Sequence, residues 1–185
     1  KTIKVLNETE SKSIIEAVTN ESFVVDTVGT KARKKQAAPP YITSKLQQAS
    51  QMPVKRTMMI AQQLYEGIEL PGEDAVGLIT YMRTDSTRVS DQALTDVREH
   101  IQSAFGEAYL PAKPNIYRAK KGAQDAHEAI RPTSMEYDPD RVNPHLTKEQ
   151  FYIYRIIWNR FVASQMLPAI FDDSTVDINA GIYTF

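Results

Sequence analysis

Thr147 to Ile178 reads TKEQFYIYRIIWNRFVASQMLPAIFDDSTVDI, and this stretch decides the fold. Thr147-Lys148-Glu149-Gln150 has the form of a capping box, in which the Thr hydroxyl and the Gln side chain satisfy free backbone N–H groups at a helix start. Behind it Tyr154, Ile157, Trp158 and Phe161 recur at helical spacing, which predicts a long helix with a broad apolar face ending before Pro168. Ser174-Thr175-Val176-Asp177-Ile178 then returns to β character. Upstream, Ser90 caps an expected helix carrying Leu94, Val97, Ile101 and Phe105, stopped by Gly106. Before that, Pro53 fits the first turn of a helix whose stripe is Thr57, Ile60, Ala61, Leu64 and Tyr65, ended by Gly67. Ser44-Lys45-Leu46-Gln47 reads as a further capping box.

Ahead of these helices, Ala37-Ala38-Pro39-Pro40 supports neither helix nor ladder and reads as a linker. The segment before it holds a short helix from Glu10 to Asn20, with Ile14, Ile15 and Val18 on one side. A strand from Ser22 to Val28 follows and runs into the basic stretch Lys31-Ala32-Arg33-Lys34-Lys35. Strand, helices, strand: the fold class is α+β, mainly α, with a helical module inserted into part of a β-rich domain. The expected divisions are 1–38, 39–168 and 169–185. Strand-like patterns at both ends give the expectation of a piece cut from something larger.

Composition narrows the function. The 185 residues are 42% hydrophobic and 24% charged, as in a folded globular chain. Lys and Arg total 22 against 23 Asp and Glu, a net charge of -1, so a nucleic-acid surface would have to be a local basic patch. Zero cysteines exclude disulfides, thiolate metal sites and cysteine nucleophiles, and suit a reducing compartment. No apolar run approaches ~20 residues, so no membrane span is expected.

Two stretches do not read as scaffold. In Gly77-Leu78-Ile79-Thr80-Tyr81-Met82-Arg83-Thr84-Asp85-Ser86-Thr87, an extended chain would put Ile79, Tyr81 and Arg83 on one face. A phenol and a guanidinium two residues apart suit a phosphate site, since Arg presents a fixed fork of donors and Tyr a nucleophile. The same spacing also fits a half-buried strand with a packed Tyr and a surface Arg. In Ala126-His127-Glu128-Ala129-Ile130-Arg131-Pro132-Thr133, one helical turn would make His127 and Arg131 neighbours able to clamp phosphate. A surface turn with a Glu128–Arg131 ion pair fits equally. Tyr117-Arg118-Ala119-Lys120-Lys121-Gly122 interleaves aromatic and cationic residues, compatible with nucleic-acid contact or a solvated loop. Asp138-Pro139-Asp140 reads as a turn. His100, His127 and His145 are the only histidines and form no ligand cluster in sequence, so no metal is assigned to this chain.

Taken together, GLITYMRTDST at 77–87 and AHEAIRPT at 126–133 closely resemble the two signature segments of bacterial type IA DNA topoisomerases. Thr43-Ser44-Lys45-Leu46-Gln47-Gln48-Ala49 and the stretch from Arg56 to Glu66 resemble that family too, in the same order. The resemblance implies that Tyr81 attacks a DNA phosphodiester to give a 5′-phosphotyrosine and a free 3′ hydroxyl, and that Arg83 binds the scissile phosphate. It implies that His127 and Arg131 contact DNA beside it, with Asp85 orienting Arg83 within the same DNA-binding set. A phenol is a weak acid, almost wholly neutral at pH 7, so attack needs a positioned phosphate and nearby positive charge. Religation then needs no ATP, and the outcome is relaxation of negatively supercoiled DNA.

By the same resemblance the chain would comprise part of an arch domain, the tyrosine-bearing helical domain and a first strand returning to the arch. The region of Pro39-Pro40 would serve as a hinge. Mg²⁺ would be held by an Asp-x-Asp-x-Glu set in a TOPRIM domain; that pattern does not occur here, since Val142 stands where the Glu after Asp138-Pro139-Asp140 would be. The implied partners are single-stranded or negatively supercoiled DNA and the rest of the parent chain, and the implied location is the cytoplasm, at the nucleoid. The other readings are a non-catalytic single-stranded DNA-binding module and a phosphodiesterase using Tyr81 alone; the missing acidic set argues against the latter.

Overall fold

A computed structural model describes residues 3–117 and 127–185; the basic positions Arg118, Lys120 and Lys121 lie outside the described residues. The elements run α1 (Glu8–Val18), β1 (Val24–Lys35), α2 (Thr43–Ala49), α3 (Val54–Glu66), α4 (Asp91–Phe105), α5 (Pro139–Val142), α6 (Lys148–Ser164), β2 (Ala169–Ala180) and β3 (Tyr183–Thr184). The chain is thus α+β and mainly α. It divides into two compact units: residues 1–35 with 169–185, and residues 36–168.

In the first unit, β1 and β2 pair antiparallel from Val24↔Asn179 to Lys35↔Ala169, with an irregularity between Val25 and Thr27, and β3 folds back onto β2. The basic stretch is therefore no appendage to the strand. Lys31 to Lys35 form its second half, and the register sets Lys31 opposite Asp173 and Ala32 opposite Asp172. Arg33 pairs with Asp173 and lies 5.0 Å from the Phe171 ring centre. Part of the basic charge is answered across the ribbon by opposite-charge neighbours. Every residue of β1 is exposed, and α1 buries none.

The second unit carries the core. The capping box at Thr147 forms in full, and α6 buries Ile153, Tyr154, Ile157, Trp158, Phe161 and Val162. α3 packs against α6 and buries Thr57, Ile60, Ala61 and Leu64, and it stops where Gly67 takes φ 142, a value that L side chains rarely adopt. Ser90 caps α4, which buries Leu94, Val97 and Ile101 and stops at Gly106, φ 95. Phe105, expected in that stripe, is exposed because the helix ends beyond the core there. Two other expectations change locally. Ser44 does not cap α2; the helix starts at Thr43, whose hydroxyl is bound to a different segment. Asp138-Pro139-Asp140 is the start of a helix and not only a turn, with the Asp138 carboxylate accepting from the Asp140 N–H.

Tyr154 shows what the core demands of a polar atom. Its side chain is fully buried and its hydroxyl donates to the Tyr137 carbonyl. Burial raises its pKa, so the fold holds the neutral phenol. An unfolded tyrosine ionises near ~10, so this contribution is present below that pH and is lost as pH rises above it. Tyr154→Phe is expected to cost about 1–3 kcal/mol near neutrality by leaving the carbonyl unpaired. It is also expected to flatten the alkaline fall in stability, as read by denaturant unfolding from pH 8 to 11. Parallel pH profiles for the two proteins would contradict this.

Candidate active site

The segment from Gly77 to Ser86 is non-helical, bends at Thr80 and Met82, and belongs to no named strand. It is held on one side by a single bridge with flanking hydrogen bonds and on the other by the side chain and N–H of Thr43. On one side Ile79 bridges Pro132 antiparallel, the Thr80 N–H donates to the Arg131 carbonyl at 2.9 Å, and the Thr133 N–H donates to the Leu78 carbonyl at 3.1 Å. The Thr80 hydroxyl donates to the Ala129 carbonyl at 2.7 Å and accepts from the Arg131 N–H at 3.0 Å. On the other side the Thr43 hydroxyl donates to the Met82 carbonyl and accepts from the Thr84 N–H, each at 2.8 Å. The two motifs singled out in the sequence are thus neighbours, joined backbone to backbone.

This pairing replaces the helical turn expected for 126–133: the residues described there, from His127 on, are not helical. Their N–H groups bond sideways, Ile130 to the Tyr41 carbonyl and Ala129 to the Arg88 carbonyl, each at 2.8 Å. His127 and Arg131 are therefore not juxtaposed by a helical turn.

Alternation does sort the first motif. Met82, Thr84 and Ser86 are buried while Tyr81, Arg83 and Asp85 are exposed. Ile79 was expected on the face of Tyr81 and Arg83, but it is buried, as is Leu78 beside it. At that point the chain passes between α3 and the Pro132 bridge, so it has no open side.

Tyr81 is 43% exposed and lies between two rings: Tyr65 at 5.4 Å, edge-on, and His127 at 6.3 Å, tilted. A cavity of about 320 Å³ is lined by Tyr65, Thr80, Tyr81, His127 and Glu128. A second, of about 420 Å³, is lined by Ile42, Thr43, Ser44, Arg83, Thr84, Asp85 and His127. His127 thus borders both the phenol and the guanidinium.

The remaining expected site residues behave differently. Arg131 is spent on the fold: it pairs with Glu128 at 2.7 Å, donates to the Pro132 carbonyl at 2.8 Å, and its side chain is only 12% exposed. The ion pair that spacing alone allowed is present. Asp85 makes no ion pair or hydrogen bond with Arg83 among the described residues. Tyr65, expected in the buried stripe of α3, is 42% exposed and faces Tyr81. Helical spacing put it at the edge of the stripe, four residues after Ala61. Nothing local signals that the chain returns past it at Gly77. Among the described residues, no three His, Asp or Glu side chains converge to hold a metal ion, and no helix is long and apolar enough to cross a membrane.

Chemically, the exposed face offers a phenol with open access, a guanidinium two residues on, and an imidazole between their cavities. That combination suits attack on a phosphodiester. The chain belongs to the DNA topoisomerase family, whose model matches residues 1–185. It is 44% identical over 173 residues to DNA topoisomerase 1 of Rickettsia felis, covering 91% of this chain and 22% of that protein. It is 48% identical over 172 residues to DNA topoisomerase 1 of Xylella fastidiosa, covering 90% and 21%. The solved full-length topoisomerase I of Thermotoga maritima matches its fold with a TM-score of 0.76 at 36% identity, covering 98% of this chain and 29% of that one. The chain spans about a fifth of the length of these curated relatives.

Proposed function

We propose that this chain is the tyrosine-bearing part of a longer bacterial type IA DNA topoisomerase, and that Tyr81 is its nucleophile. The observation that carries the reading is the exposed Tyr81–Arg83 face, flanked by His127 and fixed by the clamps from Thr43 and Thr80. In the forward step the Tyr81 Oη–phosphorus bond forms and the bond from phosphorus to the 3′ oxygen breaks. The phenolic proton passes, directly or through water, to the departing 3′ oxygen. Arg83 holds the phosphate oxygens with two parallel N–H donors and offsets the charge that grows on them. His127 positions the strand from its place between the cavities. One phosphodiester is exchanged for another, so the reverse step reseals the strand without ATP.

The DNA is single-stranded or negatively supercoiled, and the net result is its relaxation, in the cytoplasm at the nucleoid. The chain divides the work by unit: the residues around 39–168 bear the chemistry, while 1–38 and 169–185 contribute to an arch. Asp85 and Arg131 belong to the surroundings of the DNA path, Arg131 by bracing the turn that carries His127 and Glu128. Mg²⁺ would be held in the full-length enzyme by acidic residues outside this chain, where it would offset charge on the phosphate; among the described residues no three His, Asp or Glu side chains converge to hold it.

The test is capture of a denaturation-resistant protein–DNA adduct by the full-length protein. Arg83→Ala is expected to keep the nucleophile and lower the adduct rate by about 10²–10³, by analogy with a lost oxyanion donor. Arg83→Lys should recover only part of it, since an ammonium cannot reproduce the fork. No adduct from the unaltered protein, or full activity in Arg83→Ala, would overturn the reading.

A further inference from the structure

We propose that Tyr65, at the end of α3, is a positioning residue that holds the Tyr81 ring in its attacking orientation. The inference rests on the reading of Tyr81 as the nucleophile. An exposed tyrosine on a non-helical segment has several staggered side-chain wells open to it, and only those that point the phenolic oxygen at phosphorus are productive. Tyr81 is 43% exposed, and its oxygen makes no hydrogen bond to the protein among the described residues. What restrains it is aromatic. The Tyr65 ring meets it edge-on at 5.4 Å and 66°, within the range where the ring quadrupoles attract. The His127 ring lies at 6.3 Å.

The backbone makes this restraint rigid. The Leu78 N–H donates to the Leu64 carbonyl at 2.7 Å, so the segment bearing Tyr81 is stitched to the last turn of α3 at the residue before Tyr65. At Gly77 the chain passes so close that an added Cβ would sit 2.6 Å from the Tyr65 carbonyl oxygen. Tyr65 and Tyr81 thus project from two segments joined at one backbone junction, which keeps their backbones in register and leaves the ring contact to fix the side-chain orientation. Tyr65 is no core residue, since Thr57, Ile60, Ala61 and Leu64 complete the buried stripe without it. The Tyr65 hydroxyl has no hydrogen-bond partner in the protein among the described residues, so the contact belongs to the ring and not to the oxygen.

The experiment measures single-turnover adduct formation by the full-length protein at saturating 3′-labelled single-stranded oligonucleotide, together with the Kd for that oligonucleotide. Tyr65→Ala is expected to slow adduct formation about three- to tenfold, the value of one edge-to-face pair expressed as a rate, with Kd changed less than about twofold. Tyr65→Leu keeps apolar bulk without a ring and should be slowed like Tyr65→Ala. Tyr65→Phe, which restores the ring alone, should recover most of the rate. An unchanged rate in Tyr65→Ala would overturn the inference, as would a Tyr65→Phe protein as slow as Tyr65→Ala. A loss seen only in Kd would do so too, making Tyr65 a surface on which a base stacks. If the unaltered protein forms no adduct, or Tyr81→Phe still forms one, the assignment of the nucleophile fails instead, so the two failures are distinguishable.

Discussion

Tyr81→Phe in the full-length protein is expected to abolish covalent capture of DNA, with folding and DNA affinity close to those of the unaltered protein. The substitution removes one oxygen from an exposed side chain that bonds to nothing else in the protein among the described residues, so neither core nor clamp is disturbed. The ring remains to face Tyr65 and His127. Among the described residues the cavity that Arg83 lines holds no tyrosine, and in the neighbouring one the phenol beside Tyr81 is that of Tyr65, which does not line the cavity of Arg83. End-labelled oligonucleotides make the outcome directional. A 5′-phosphotyrosine holds the downstream piece, so label at the 3′ end should travel with the protein through denaturation and label at the 5′ end should not. Retention of the 5′ label, or undiminished adduct from Tyr81→Phe, would show the chemistry to be assigned to the wrong bond or the wrong residue.

Gly77→Ala is the second large expectation, and it acts through backbone. The added methyl would lie 2.6 Å from the Tyr65 carbonyl oxygen, closer than real Cβ atoms come to a neighbouring heavy atom. The obstacle is main chain at the end of a helix, so no side chain can swing aside to make room. Either α3 frays at its last turn, breaking the bond from the Leu78 N–H to the Leu64 carbonyl, or the segment from 77 to 86 shifts outward. Each route costs on the order of 1–3 kcal/mol, as overpacking of a tight site does. The second also moves Tyr81 away from Tyr65, so adduct formation should fall by more than the loss of the ring contact alone. A lowered Tm with a greatly reduced adduct rate is the expected result. A Gly77→Ala protein with normal Tm and normal rate would mean the junction is loose.

Much of the helical framework is legible because its signals are local. Thr147 and Gln150 cap within one turn, Ser90 and Gly106 bracket α4, and the apolar stripes of α3, α4 and α6 need only spacing to be read. What was not legible depends on where distant segments return. His127 and Arg131 are four apart, which reads as a helical turn, yet the hydroxyl and amide of Thr80 capture the backbone there and hold it extended. Ser44 looks like the better cap for α2, but Thr43 begins the helix and spends its hydroxyl on Met82 and Thr84. In the site, alternation exposes Tyr81 and Arg83 as the sequence implied. Arg131 pairs with Glu128, the ion pair that the spacing also allowed. The sequence places Tyr65 in the stripe of α3 but not beside Tyr81, because edge positions of a helical stripe look alike until the chain comes back past one of them.

The pairing of Lys35 with Ala169 has an entropic consequence. Residues opposite each other across antiparallel strands lie about 5 Å apart, so the chain leaves the ribbon and rejoins it at adjacent points. Residues 36–168 therefore form one closed loop, zipped at its base by two 12-residue strands. A covalent cross-link closing a loop of on the order of 100 residues restricts the unfolded chain by about 4–5 kcal/mol. The ribbon is a reversible form of that link, and the same closure works in both directions. A folded helical unit holds the two strand ends within reach of each other, and paired strands shorten the search of the helical unit. The charge pairs along the ribbon, such as Arg33 with Asp173, are thus part of what keeps that loop closed.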